Sequence, residues 1–220
     1  MFGIQRMTKG DGSVVLHDPP IAQFLFGNTK MAIVWLVVRL YVGWSWLEAG
    51  LHKLFEYNAQ TNTILWGQWN KAWILSGDSI KGYWERAVAI PAAPARPLIT
   101  YDWFRDFLEF LLAINAYPWM SKVIVVGEVA IGIGLILGAF VGVAACFGAF
   151  MNMNFMLAGT TSSNPVLFLL AVFLMLAWKV AGYYGLDHYL LPMLGTPWES
   201  LRMTRATTAP TAPPAASAAD

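Results

Sequence analysis

The chain has 220 residues, of which 57% are hydrophobic and only 12% charged, where a soluble domain carries about a quarter charged residues. Its 14 basic residues nearly cancel 13 acidic ones, which excludes the broad positive field that nucleic-acid binding requires. Cys146 is the single cysteine, so an intrachain disulfide, a CxxC dithiol and an iron–sulfur centre held by this chain alone are excluded as well.

The first residues, MFGIQRMTKGDGSVVLHDPP, hold no uninterrupted apolar core and no small-residue cleavage site, so they do not read as a secretory signal. Residues 1–29 are expected to form a cytoplasmic N-terminal segment. A bilayer core of about 30 Å needs roughly 20 mostly apolar residues in a helix, and four stretches approach that length: 30–54, 118–137, 140–157 and 165–183. The predicted fold class is therefore an all-α integral membrane protein, a four-transmembrane-helix bundle. The second and third stretches are separated only by the Gly138 region and must form a tight antiparallel hairpin. Glycine and alanine recur along this hairpin, among them Gly127, Gly132, Gly134, Gly142 and Gly148, and small residues let helix backbones approach closely in lipid. Asn164 and Pro165 suit a helix start as cap and first position.

Residues 55–117 are expected to form a helical, aromatic-rich insertion outside the membrane. It contains Trp66, Trp69, Trp73, Trp84 and Trp103, and tryptophan favours the headgroup level. Within it, Tyr101, Phe104, Phe107, Leu108, Leu111 and Leu112 recur at helical spacing, which predicts an amphipathic helix lying on the membrane. Residues 184–205 read as a cytoplasmic interfacial segment, and 206–220, ATTAPTAPPAASAAD, as a disordered tail unable to bury enough surface to fold. Short basic flanks, Arg6, Lys9 and Lys30 before the first span and Lys179, Arg202 and Arg205 around the end of the fourth, place both termini in the cytoplasm of a multi-pass inner-membrane protein.

Polar groups inside apolar stretches carry what chemistry the sequence offers. Arg39 lies nine residues after Lys30, roughly 13 Å deep by the helical rise, and an unpaired arginine at the bilayer centre costs at least ~2.5–3.5 kcal/mol. Glu128, ten residues after Pro118, is the expected partner. The two either fix helix register as an ion pair or face a quinone headgroup or proton path. Glu48 and His52, four residues apart, share a helix face beside Lys53; a histidine beside a carboxylate is a candidate proton acceptor, although a solvated helix end accounts for the same residues. Asn152 and Asn154 need partners, either across helices or in an outer pocket with the turn at 160–164. His52, His188 and His17 fall at different levels, so no bis-histidine haem site is expected. No haem, iron–sulfur or metal cofactor is expected at all.

RLYVGWSWLEAGLHKLF, GEVAIGIGLILG, NMNFMLAGTTSSNP and AGYYGLDHYLLP follow one another in this order. Together they resemble the DoxX/DoxD family of small four-helix membrane proteins, some of which are likened to the large subunit of thiosulfate:quinone oxidoreductase. The resemblance covers residues 35–192. It implies a membrane subunit that oxidises a small sulfur anion at the outer face and passes electrons to quinone, with a second small subunit as partner. Catalytic roles would then fall to Glu48, His52 and Lys53, and quinone or anion contacts to Arg39, Trp46, Glu128, Lys53 and Asn154. The competing expectation is a non-catalytic accessory subunit that docks through its glycine-rich helices and tryptophan-rich insertion into a larger respiratory or photosynthetic complex. A small-solute carrier would show inverted repeats and broken helices, which the sequence lacks.

Overall fold

A computed structural model describes residues 18–196; the expectations for the preceding N-terminal residues and for the tail lie outside them. The described chain is mostly helical. In order it runs α1 (Pro20–Gly27), a 3-10 turn (Thr29–Met31), α2 (Ala32–Leu54), β1 (Phe55–Asn58), β2 (Thr63–Trp69), α3 (Lys71–Ile74), α4 (Asp78–Val88), α5 (Asp102–Ala113), α6 (Tyr117–Leu137), α7 (Val141–Leu157), α8 (Asn164–Leu176), α9 (Trp178–Ala181) and α10 (Asp187–Met193). Two helices, Thr29–Leu54 and Tyr117–Leu137, are long and apolar enough to cross a membrane; Val141–Leu157 and Asn164–Leu176 are shorter apolar helices.

The helix α2 packs on α6, α6 on α7, α7 on α8, and α8 back on α2, closing a four-helix bundle. Its core gathers Trp35, Val42 and Trp46 from α2, Ile131 and Leu135 from α6, Ala145 and Ala149 from α7, and Ala171 and Leu174 from α8. The outward faces are apolar too: Val37 is 64% exposed, Trp44 60%, Val126 66% and Phe147 61%. A water-soluble bundle places polar residues there.

Contacts at three glycines fix the antiparallel register of α2 against α6. Gly43 faces Leu135 and Ile136, Gly132 faces Leu47, and Gly50 faces Glu128 and Val129. At Gly132 a Cβ would stand 2.6 Å from Leu47 N and 2.7 Å from Leu47 Cα, so any side chain there must push a helix backbone rather than a rotatable group. Gly132→Ala is accordingly expected to cost about 1–3 kcal/mol through overpacking, read as a lower unfolding midpoint in detergent; an unchanged midpoint would refute this register. The turn into α7 is closed by Gly138, which at φ 69° adopts the left-handed conformation of a helix C-terminus.

The fourth apolar stretch is not one helix. It breaks at Ala177 into α8 and α9, where the Val180 and Ala181 amides both turn back to the Ala177 carbonyl and Trp178 seats on Gly142 of α7. Asn164 is not the cap: its Nδ2 donates to Thr160 O at 3.0 Å, and Ser163 occupies the cap position without a side-chain bond.

The insertion is not purely helical. It opens with an antiparallel hairpin, β1 to β2, with Asn58 opposite Thr63. Isoleucine, threonine and tryptophan favour the extended chain here, and Asn62 takes the positive φ of the turn. The rest builds a second core from Ile80 and Trp84 of α4, Ile99 ahead of α5, Phe104, Leu108 and Leu111 of α5, and Ala158 past the end of α7. The predicted membrane-lying face of α5 therefore faces inward at Phe104, Leu108 and Leu111. Its exposed apolar residues are Trp103, Phe107 and Phe110, followed by Ile114 just past its end.

Candidate functional site

Lys53, at the last turn of α2, lies where α6 crosses it. Its Nζ donates to both carboxylate oxygens of Glu128, at 2.8 and 2.7 Å. Glu128 is 1% exposed and Lys53 22%, so one end of the pair reaches outward while the other is sealed in the bundle. The half-buried Trp73 of α3 covers the ammonium, its ring centre 5.4 Å from Nζ, a cation–π contact from the insertion onto the pair.

The Arg39–Glu128 pair expected from depth does not form. Equal depth along two spans implies contact only if the ends of the helices are flush. In the structure α6 starts beyond the C-terminal end of α2, where α3 and α4 pack on it. With Leu47 at Gly132 and Gly43 at Leu135, Arg39 falls at the Gly138 turn and Glu128 falls beside Gly50 and Lys53.

Arg39 is 1% exposed. Its Nη2 donates to Tyr184 O at 3.1 Å, and its guanidinium packs on Gly138 and Gly185. The opposing charge is Asp187, which sequence reading passed over although it stands in the AGYYGLDHYLLP motif. The Asp187 carboxylate accepts from Phe140 N at 2.6 Å and Val141 N at 2.9 Å, so it caps α7 from a distant part of the chain, where the helix dipole favours negative charge. Backbone bonds from Leu186 N to Leu137 O and from Asp187 N to Gly138 O lace the same two turns together. Burial pushes the Asp187 carboxyl above the usual aspartate range, against the pull of the two amides and of Arg39.

The other sequence candidates separate. Glu48 is exposed, and among the described residues no hydrogen bond joins it to His52. His52 is half-buried, its ring 4.4 Å from that of Tyr57 on β1; the hairpin, unforeseen from sequence, supplies that neighbour. Asn154 bonds its own helix, Nδ2 to Phe150 O at 2.8 Å, so it neither bridges helices nor reaches the Lys53–Glu128 pair. Thr160, in the polar turn after α7, meets Tyr83 OH of α4 at 2.6 Å and ties the insertion to the bundle. Burial raises the Tyr83 phenol above its ordinary range, while Thr160 and Arg86 lower it.

Trp46 and Asn152 complete the interior. Trp46 is 3% exposed and Asn152 0%. A Cβ on Gly148 would lie 3.1 Å from Trp46 Nε1 and 3.5 Å from Ile131 Cγ2, so Trp46, Ile131 and Gly148 form one layer of the core. One turn further out along each helix stand Gly50, Glu128 and Asn152. The Trp46 indole N–H and both polar atoms of the Asn152 amide have no partner among the described residues.

Two cavities lie elsewhere. One of about 270 Å³ is lined by Leu98, Thr100, Tyr101, Met153, Met156 and Leu157. The other, of about 370 Å³, lies at the opposite end between α7, α8 and α10, with Trp178 and Asp187 in its wall. Neither includes the Lys53–Glu128 pair. Among the described residues no three His, Cys, Asp or Glu side chains gather as a metal site needs. Comparison of the chain with protein-family models, curated proteins and solved structures returns no significant match.

Proposed function

We propose that this chain is a multi-pass inner-membrane protein whose spans are α2, α6, α7 and the broken α8–α9 unit. The insertion would lie outside and both termini in the cytoplasm. The two long apolar helices and the exposed apolar residues around the bundle support that placement, since lipid accepts such a surface and water does not. We propose further that it serves as the membrane subunit of a quinone-linked oxidoreductase whose donor is a small sulfur anion such as thiosulfate, as the resemblance to the DoxX/DoxD family implies.

The observation that carries this reading is the Lys53–Glu128 pair. Ionisable groups inside an apolar bundle are costly and mark ion, proton or substrate routes. Joining two thiosulfate ions through a sulfur–sulfur bond releases two electrons, and the quinone that accepts them takes up two protons. The pair, reaching from the outer end of α2 to the buried Glu128, is placed to manage such protons. Because Glu128 engages Lys53, His52 beside Tyr57 is the group placed to meet an anion when protonated. Electrons pass directly from donor to quinone or arrive through a partner subunit.

Quinone reduction by the purified chain in nanodiscs, with thiosulfate as donor, tests this. Donor-dependent turnover that falls at least tenfold in His52→Ala is expected, in the range of lost general acid–base or anion-binding contacts. Absence of turnover from folded protein would overturn the enzyme reading. It would favour the accessory-subunit reading instead, which the exposed Trp66 (68%), Trp69 (51%) and Trp103 (62%) support as a docking surface.

A further inference from the structure

We propose that the core layer around Asn152 is a hydrated polar site, and that it extends the Lys53–Glu128 pair into a proton-conducting inlet running from the outer end of the bundle to its middle. The idea deepens the proposed function, because it says where protons would enter, but it stands on interior geometry alone.

Three unpartnered polar atoms carry it. Asn152 Oδ1, Asn152 Nδ2 and Trp46 Nε1 are buried without a hydrogen-bond partner among the described residues, at 0% and 3% residue exposure. Buried polar groups are satisfied in nearly all proteins, and leaving each one bare costs about 1–3 kcal/mol. The two side chains sit in adjacent layers: Trp46 against Gly148, and Asn152 one turn further along the same helix. One turn rises about 5.4 Å, so the two layers are neighbours, and a water between neighbouring layers bridges hydrogen-bonding groups. The chemistry matches that ligand. The indole offers only a donor, whereas the amide offers both donors and an acceptor, so water can accept from Trp46 and donate to Asn152. Glu128 occupies the Asn152 layer, with Gly50 opposite it contributing no side chain. Water at Asn152 therefore lies next to a carboxylate whose Lys53 partner is 22% exposed at the outer end.

Replacing Asn152 with Leu, which has nearly the same volume, separates the wet site from a dry one by sign. If water satisfies the amide, the variant loses those bonds and strands Trp46 Nε1, and its unfolding midpoint falls by about 2–4 °C or more for a chain of this size. If the amide is dry and bare, removing it raises the midpoint, and the proposal is overturned. A second readout does not depend on stability. Resonance Raman difference spectra between the wild-type chain and Trp46→Phe report the hydrogen-bonding state and the deuterium exchange of the Trp46 indole N–H. A hydrogen-bonded N–H that exchanges within minutes in D₂O, and more than tenfold more slowly in Asn152→Leu, is expected. A Trp46 N–H that is unbonded, or that stays protonated for hours, overturns the inlet. Neither readout uses a quinone or a sulfur donor, so the inlet can fail while the oxidoreductase reading stands, and the reverse.

Discussion

Lys53→Met is expected to destabilise the folded chain by about 3–5 kcal/mol, the usual consequence of stripping one partner from a buried ion pair. The loss falls on Glu128, which is buried at 1% exposure and accepts from Lys53 through both oxygens. The reverse substitution, Glu128→Leu, should cost less. Lys53 is 22% exposed and stands at the last turn of α2, so its ammonium can turn outward on its flexible stem. The double variant Lys53→Met/Glu128→Leu should recover most of the loss, because a well-packed apolar pair replaces two charges without leaving either one bare. Unfolding midpoints of the four proteins in one detergent give the coupling energy directly. Coupling below about 0.5 kcal/mol, the level of independent sites, would mean that the pair does not hold α2 to α6. Glu128 and Arg39 should show only that background level, because their contact does not exist.

At the opposite end of the bundle, Asp187→Ala should be as damaging, for a different reason. The carboxylate accepts from the Phe140 and Val141 amides and opposes the buried charge of Arg39. Its removal leaves the buried Val141 N–H unsatisfied, at about 1–3 kcal/mol, the part-buried Phe140 N–H without its acceptor, and a guanidinium without its counter-charge. Asp187→Asn keeps one acceptor oxygen and should fall between the two. Arg39→Leu should be milder than Asp187→Ala, because the carboxylate keeps its amide donors. Hydrogen exchange locates the effect: the Phe140 and Val141 amides should lose protection in Asp187→Ala while the middle of α7 keeps it. Protection that survives there would show that the carboxylate does not cap α7.

Several features of the site were legible in the sequence and several were not, and the division follows the range of the interactions. Glu128, Lys53 and Arg39 stood out because a charge inside an apolar run is conspicuous in any helix. Their partners did not, because Lys53 and Glu128 are 75 residues apart and their meeting depends on how far α6 overhangs α2. Asp187 escaped notice because it lies just outside the last apolar stretch, where an aspartate reads as ordinary surface; only the folding of its turn onto the Gly138 turn buries it. Glu48 and His52 share a helix face by spacing, yet the hairpin offers His52 an aromatic neighbour instead. Asn152 and Asn154 look alike in MNMNF, but their positions differ by 200° around the helix, so one bonds its own backbone and the other is sealed in the core.

What the sequence determined by itself was the long apolar helices and the amphipathic α5, with their approximate ends. Long apolar runs, the glycine turn at Gly138 and the periodicity of residues 102–113 act within a few residues of one another and need no distant partner. Tertiary structure alone decided the register between helices and therefore the pairing of charges. Close approach at Gly43, Gly50 and Gly132 sets one helix against the other, and that fit depends on the shapes of both surfaces at once. A shift of one turn, about 5.4 Å, would leave every helix intact and give each buried charge a different neighbour.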